Sequence, residues 1–466
     1  MHQLQRNRPN IVGVELGEMS RPKNSAPPTY FVTNEFTMPF QEIVNTYGIP
    51  RYREVNPGFF AIPMFSFLFG VMFGDIGHGG VLLAFGMFLC LRNTFLQESK
   101  SAIAPILQAR YLILLMGIFA FYCGFIYNDF FSLPFDIFGS CYKVVEGEEM
   151  AERHENCVYP FGLDPKWYIA SNELSFFNSL KMKLAVIIGV SQMTFGIFLK
   201  AINCIHYGVY VDFFFEFIPQ ILFLSCTFGY MCMIVIYKWL IDWQSIGTEK
   251  APSIITSMIN MFLRAGSAGE TPLYDESTQE SLQFKLLMIA IICVPTMLFV
   301  KPIILHMRHS GEDKSHNEPL KEKLLDEGQE GAEAVAQHGG GDEHGFGEIF
   351  VHQMIETIEF VLGAVSNTAS YLRLWALSLA HSQLAKVFFE KTIGGGIEFG
   401  SFLQVFVGFF LFVNVTFAVL MWMDLMECFL HALRLQWVEF QGKFYKADGY
   451  KFYPFSFICR MKEVAK

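Results

Sequence analysis

The sequence predicts an all-α, polytopic membrane protein of about eight transmembrane helices, the last two long and strongly tilted. Three observations carry that expectation. Charged residues make up only 17% of the 466 and hydrophobic ones 52%, whereas soluble domains average about 25% charged. Mean hydropathy is +0.34. Apolar runs recur near residues 57–74, 78–92, 110–130, 184–202, 213–240 and 284–305, and two more close the chain at 348–392 and 400–441. Each of the last two would form about 60 Å of helix at about 1.5 Å per residue. The hydrocarbon core is about 30 Å thick, so such helices tilt or protrude.

Residues 1–56 are mixed and Pro-rich, with a short helix and turns expected around Phe36–Pro50. They read as a cytosolic remnant or docking segment, and the polar stretch Met1–Arg53 does not read as a signal peptide. Residues 57–305 hold the first six spans. The first two are split by Phe73-Gly-Asp75-Ile-Gly-His78-Gly-Gly80. Such a turn at membrane depth is tolerated only where it is buried in protein or lines water. Two polar loops interrupt these spans, 131–182 and 242–283, the second with a possible amphipathic helix at Ile254–Arg264. Residues 306–347 are acidic and low in complexity, which predicts disorder. Residues 348–441 form the last helical pair, and 442–466 a basic tail.

The net charge of −10 owes much to the acidic 311–348 stretch, so it does not point to nucleic acid. Lys443, Lys446, Lys451, Arg460, Lys462 and Lys466 in the tail favour the cytosol, as do Arg92, Lys100 and Arg110 in the second connection. Eight spans then put both termini on the cytosolic side and loop 131–182 in the lumen. Most cysteines lie in apolar runs and act as small hydrophobes. Cys141 and Cys157 share the long loop. They form a disulfide if it faces an oxidising lumen, with two free thiols as the alternative.

The most informative residue is Arg373, inside an apolar run from Phe360 to His381. Arg434 interrupts the next long apolar run. A guanidinium near the bilayer centre costs about 2.5–3.5 kcal/mol even on lenient insertion scales. It cannot discharge to escape that cost. Depth follows from counting along the helices. Glu359 lies 14 positions before Arg373, about 21 Å towards the cytosol. His381 lies 8 positions after it, about 12 Å towards the lumen. On the returning helix Asp424 lies 10 positions before Arg434, about 15 Å towards the lumen. Asp75 falls at the lumenal end of the first span. The pattern is two half-paths for protons separated by fixed positive charge. A carrier past that barrier is missing from the chain, which implies a partner. Plainer structural readings stand beside this one. The arginines pair inside a bundle, Arg434 snorkels to an interface, His381 packs in a core, and Glu359 marks the edge of a span.

These residues resemble a known family. Thr368-Ala-Ser-Tyr-Leu-Arg-Leu-Trp-Ala-Leu-Ser-Leu-Ala-His381 is similar to a signature of subunit a of the vacuolar-type proton-pumping ATPase. So are Met72-Phe-Gly-Asp-Ile-Gly-His-Gly79, Pro160-Phe-Gly-Leu-Asp-Pro165, Phe429-Leu-His-Ala-Leu-Arg-Leu-Gln-Trp-Val-Glu-Phe440 and Gly449-Tyr-Lys-Phe-Tyr-Pro-Phe-Ser-Phe457. The likeness covers nearly all of residues 30–458. It implies a stator subunit beside a rotating proteolipid c-ring, together with other membrane-sector subunits, peripheral-stalk subunits and lipid. It implies that Arg373 discharges each ring carboxylate, and that Arg434, Glu359, His381, Asp424 and Asp75 line the half-channels. No cofactor or metal is expected, and no ATP-hydrolysing site, since no Walker motif is present. The implied location is an endomembrane: vacuole, lysosome, endosome or Golgi.

The sequence departs from the family pattern in three ways. A large cytosolic N-terminal domain, which holds the stalks, precedes the first span in family members; here only residues 1–56 do. A lumenal glutamate on the last helix is Asp424 here. Gly363 and Asn367 stand where the family has a polar residue and a histidine. The alternative to a pump subunit is a short, non-pumping paralogue acting in assembly or interaction. An independent transporter would call for inverted repeats, and none is evident.

Overall fold

The computed structural model describes residues 27–92, 104–143, 151–154, 157–247, 250–267, 269, 271–307, 346–398 and 400–453. The acidic 306–347 loop therefore lies almost wholly outside the described residues, as do the first 26 residues and the tail beyond 453. The chain is all-α, an integral membrane protein with very little strand. Its helices in order are α1 (Met38–Tyr47), α2 (Pro57–Met72), α3 (Ile76–Leu91), α4 (Arg110–Tyr127), α5 (Glu173–Tyr207), α6 (Tyr210–Leu240), α7 (Ile254–Leu263), α8 (Glu276–Met307), α9 (Ile349–Ile397) and α10 (Phe402–Phe444). Six of them, α4, α5, α6, α8, α9 and α10, are long and apolar enough to cross a bilayer. The helices α2 and α3 have 16 residues each, about 24 Å of helix. They are joined by the turn at Phe73–Asp75.

Hydropathy places the start of the fourth span at 184, but α5 begins at Glu173 and runs for 35 residues. The polar first turns are helical because their charges are paired across to α9. Glu173 pairs with Lys386. The Lys181 ammonium donates to the Ser378 carbonyl at 3.3 Å and lies over the Tyr127 ring at 4.6 Å. Apolar composition marks where lipid begins; tertiary pairing carries the helix beyond that point.

The core is aromatic. Phe65, Phe69, Phe73 and Tyr371 are almost fully buried, with Met72, Met193, Ile197 and Leu374 around them. Helix α5 is the spine and packs against α6, α9 and the end of α10. Helices α2, α3 and α4 form a separate, closely packed triplet, and α2 also touches α9 and α10. Lipid tails are as apolar as the side chains they would solvate, so membrane helices associate through close backbone approach at small residues. Gly124 on α4 is such a contact: a Cβ there would sit 2.4 Å from the Ile76 nitrogen and 2.5 Å from the Asp75 carbonyl carbon.

In loop 131–182 the strands β1 (Tyr142–Lys143) and β2 (Glu152–Arg153) pair antiparallel. The sulfurs of Cys141 and Cys157 are bonded, with Cα atoms 5.6 Å apart. The Asp164 carboxylate closes the loop by accepting from Ser140 Oγ (2.7 Å), the Cys141 nitrogen (3.0 Å) and the Lys166 nitrogen (3.0 Å). Helix α7 occupies the stretch expected to be amphipathic, and its Met261 packs on Tyr230 and Ile234 of α6.

The segment before α2 is stitched to the segment after α10. Thr29 bridges to Lys451, and Ile49 to Asp448, both in parallel. The Tyr445 hydroxyl donates to the Gly48 carbonyl at 2.7 Å. The Arg51 guanidinium pairs with Asp448 and holds that carboxyl below the usual range.

Two glycines in the α2–α4 triplet give a paired prediction. Gly124→Ala forces a Cβ into backbone, and overpacking of this kind costs about 1–3 kcal/mol. Gly80→Ala meets only the Phe121 ring at 3.8 Å, an ordinary contact, and should leave stability unchanged or slightly raised. Thermal unfolding of the detergent-purified chain should separate the two. Equal midpoints would show that the α3–α4 approach is not tight.

Candidate functional site

Polar residues inside a bilayer must satisfy one another, so their positions along the buried spine α5 define a site. Three positions on α5 carry such groups: Lys200, Gln192 and Lys181. At about 1.5 Å per residue, Gln192 lies about 12 Å from Lys200 and Lys181 about 16 Å further on. Lys181 and Gln192 meet partners from α9, which runs antiparallel to α5, and Lys200 meets Glu216 of α6.

At the level of Lys200 the bundle opens into a cavity of about 870 Å³ lined by α5, α6, α8, α9, the end of α10 and Arg51–Glu54. Its wall is a charge network. Lys301 of α8 lies 2.7 Å from Glu216, 3.2 Å from Asp212 and 3.7 Å from Glu356 of α9. Lys200 also pairs with Glu216. Glu359 follows Glu356 by one turn of α9. It is exposed and within electrostatic reach of Lys443, whose ammonium lies 5.3 Å from the Phe360 ring.

The middle level holds the arginines. Tyr371 is fully buried, and its hydroxyl donates to Gln192 Oε1 at 2.9 Å. Gln192 in turn donates to Gln436 Oε1 of α10 at 3.3 Å. The Tyr371 ring lies on Gly189, where an added Cβ would be 2.4 Å from its Cγ. The helix breaks its regular hydrogen bonding at Tyr371, whose carbonyl accepts from Leu374 three residues on. Arg373 is thus fixed by the anchored residue two positions before it. It is half-buried, and its Nη1 is buried with no hydrogen-bond partner. Arg434 is exposed. Glu439, buried on α10, is within electrostatic reach of both guanidinium groups.

The third level gathers carboxylates and imidazoles. His381 Nδ1 lies 2.5 Å from Asp424 Oδ2, joining α9 to α10. The His78 ring centre is 5.1 Å from that of His381. Its Nδ1 is 3.1 Å from Asp75 Oδ2. Asp75 is the N-cap of α3: its Oδ1 accepts from the Gly77 nitrogen at 2.6 Å and the His78 nitrogen at 3.1 Å. That satisfies donors a helix start leaves unpaired. Asp129, just beyond α4, accepts from the Ser132 nitrogen at 2.9 Å. Burial, and then the nearby Asp75 charge, push its carboxyl up to about 7, against the pull of Lys181. Asp129, Lys181, Ser382 and Lys386 line a second, much smaller pocket beside this level.

The structure therefore brings His381, Asp424 and Asp75 together at one end. It sets Arg373 and Arg434 around Glu439 in the middle, and leaves Glu359 near the cavity at the other end. The sequence reading assigned no role to His78, Glu439, Asp129, Lys181 or Gln192. His78 and Glu439 lie within quoted motifs, and the i, i+3 spacing of Asp75 and His78 was the available signal. Asp129 and Lys181 sit at helix edges, where charge looks like ordinary solvation.

The profile of the V-type ATPase 116 kDa subunit family matches residues 2–457. The chain belongs to this family. It is 45% identical over 441 residues to the "Vacuolar proton translocating ATPase 100 kDa subunit" of Dictyostelium discoideum, covering 92% of this chain and 53% of that protein. It is 45% identical over 460 residues to "V-type proton ATPase subunit a3" of Arabidopsis thaliana, covering 96% and 54%. It is 42% identical over 473 residues to "V-type proton ATPase 116 kDa subunit a 4" of Homo sapiens, covering 93% and 56%. The chain spans about half the length of these curated relatives.

The tie between Tyr371 and Gln192 can be tested directly. Tyr371→Phe leaves a buried amide oxygen unpaired, which costs about 1–3 kcal/mol. A lowered thermal midpoint is expected in the purified chain. No change would mean that the hydroxyl does not anchor the turn before Arg373.

Proposed function

We propose that this chain is the proton-conducting half of a stator subunit in the membrane sector of a rotary proton-translocating ATPase. On this reading protons enter from the cytosol through the 870 Å³ cavity and reach Glu356 and Glu359. They load onto a carboxylate of a rotating proteolipid ring. After the ring turns, Arg373 faces the loaded carboxylate and stabilises its ionised form, so the proton leaves. It departs past His381–Asp424, His78–Asp75 and Asp129 towards the lumen. Arg434 and Glu439 set the field beside Arg373.

The observation that carries this reading is Arg373 itself. Its backbone lies two residues from the anchored Tyr371, and its Nη1 has no hydrogen-bond partner among the described residues. It sits on the helix pair that the chain covers least. In their most apolar stretches only 22% of α9 and 17% of α10 is buried, against 44–50% for α4, α5 and α6. A ring of helices carrying carboxylates supplies both the apolar cover and the missing acceptor. Asp129 supports the exit, because a carboxyl that titrates near neutrality can both accept and release a proton. The same reading places both termini in the cytosol, Cys141–Cys157 in an oxidising lumen, and the protein in an endomembrane. It also implies that peripheral-stalk contacts come from sequence beyond that shown by residues 27–453.

The test is complementation. This chain is expressed in cells lacking their own subunit a, with the family's N-terminal domain supplied, and ATP-driven acidification of vesicles is followed. We predict acidification by the wild-type chain. For Arg373→Lys we predict loss to background, while the ring still co-purifies, because Lys can discharge and lacks the planar fork. Normal pumping by Arg373→Lys would refute the role given to Arg373. A ring that co-purifies without any acidification by the wild-type chain would favour the non-pumping paralogue.

A further inference from the structure

The cluster at the third level contains more than a hydrogen-bonded pair. Asp75, His78 and His381 place their ligand atoms within 4.8 Å of one another. All three are buried, at 0%, 1% and 1% exposure. Asp75 Oδ2 and His78 Nδ1 lie 3.1 Å from each other, and among the described residues the two outer nitrogens, His78 Nε2 and His381 Nε2, have no hydrogen-bond partner. Buried polar groups are rarely left unpaired, and each exception calls for an explanation. The cluster is flanked by the Phe73 ring, 4.6 Å from that of His381, and the Phe131 ring, 4.8 Å from that of His78.

We propose that Asp75, His78 and His381 form a binding site for a divalent transition ion of the zinc class. The donor set is two imidazoles and one carboxylate, which suits zinc and leaves a fourth position open. The outer groups are already arranged as metal sites arrange them. A ligating histidine usually hands its other nitrogen to a carboxylate. Here Asp424 holds His381 Nδ1 and presents Nε2 inward. Asp75 keeps Oδ1 on the α3 nitrogens and turns Oδ2 towards His78.

The charge balance also fits a dication. Asp75 and Asp424 bring two negative charges, Asp129 lies close by, and Lys181 is the cation that faces them. A tetrahedral zinc site with bonds of about 2.0–2.1 Å needs donors about 3.3 Å apart, so the cluster must contract. His78 supplies that movement, because its ring is held only through Nδ1, by the Asp75 carboxylate that would ligate the same ion. The site departs from the sequence reading, which expected no metal. Its consequence rests on the proposed function: an ion on His381 Nε2 occupies a proton-accepting nitrogen of the exit, so micromolar zinc would act as a blocker.

Binding is measured without pumping. Co²⁺ is added to the purified full-length chain and the visible spectrum recorded, and Zn²⁺ is titrated against a chelating dye. One equivalent with the intense absorption of tetrahedral cobalt is expected. His78→Gln should weaken it by about tenfold or more, since even outer-shell changes cost metal sites 10–100-fold. Asp75→Asn, which preserves a cap for α3, should weaken it likewise. His154→Gln, an exposed loop histidine, should leave it intact. Absence of a tetrahedral spectrum, or affinity unchanged in both His78→Gln and Asp75→Asn, would overturn the proposal. Zinc inhibition of acidification that His78→Gln relieves would support its placement in the exit. Should wild-type vesicles fail to acidify, the cobalt spectrum still decides the metal site.

Discussion

A guanidinium that cannot lose its proton has to be held still inside an apolar bundle, and much of this structure answers that constraint. Arg373 is not pinned by a salt bridge of its own. It is pinned through the backbone, by Tyr371 two residues earlier. Tyr371 is fully buried against Gly189 and bonded to Gln192, which is bonded to Gln436. One residue each from α5, α9 and α10 is enough to fix the position, and the charged tip stays available. A direct ion pair would have held the arginine as firmly but would have neutralised it. Glu439 lies within electrostatic reach without consuming the guanidinium, so the field is moderated while Nη1 stays unpaired.

The two ends of the polar column are built on different principles. At the cavity end the charges solvate one another. Lys200, Lys301, Glu216, Asp212 and Glu356 form a network wide enough that four helices share it. At the far end there is no comparable opening among the described residues. The groups there are few, close and aromatic-lined, and several lack partners. Desolvation strengthens every interaction that remains. That is why Asp129 is shifted so far up and why His381 and Asp424 sit so close.

The sequence made the long elements legible. Alternation of apolar runs with polar loops predicted about eight spans, of which six are helices long enough to cross a bilayer and two are the shorter α2 and α3, and axial counting put His381 and Asp424, which lie 2.5 Å apart, on the same side of the arginines. Counting succeeded because both residues are on long helices of fixed rise. It failed where lateral geometry decides. His78 seemed part of a Gly-rich turn, yet the turn exists so that Asp75 can cap α3 and bring His78 beside His381. The start of α5 was placed at 184 because hydropathy falls before it; Glu173 and Lys181 are helical through partners on α9, about 200 residues away in sequence. Gln192 and Tyr371 looked like ordinary helix residues, since a buried amide–phenol bond leaves no periodic trace.

Asp424 shows how these constraints combine. The sequence reading expected a glutamate there from the resemblance; the shorter aspartate places Oδ2 2.5 Å from His381 Nδ1. The gap is closed from the other side. Phe73 packs 4.6 Å from the His381 ring, and α2, which carries Phe65 and Phe69, touches both α9 and α10. A dense aromatic layer therefore holds the two long helices near enough for one methylene less to reach. A side chain longer by one methylene would have to fit between α10 and a His381 ring already packed against Phe73.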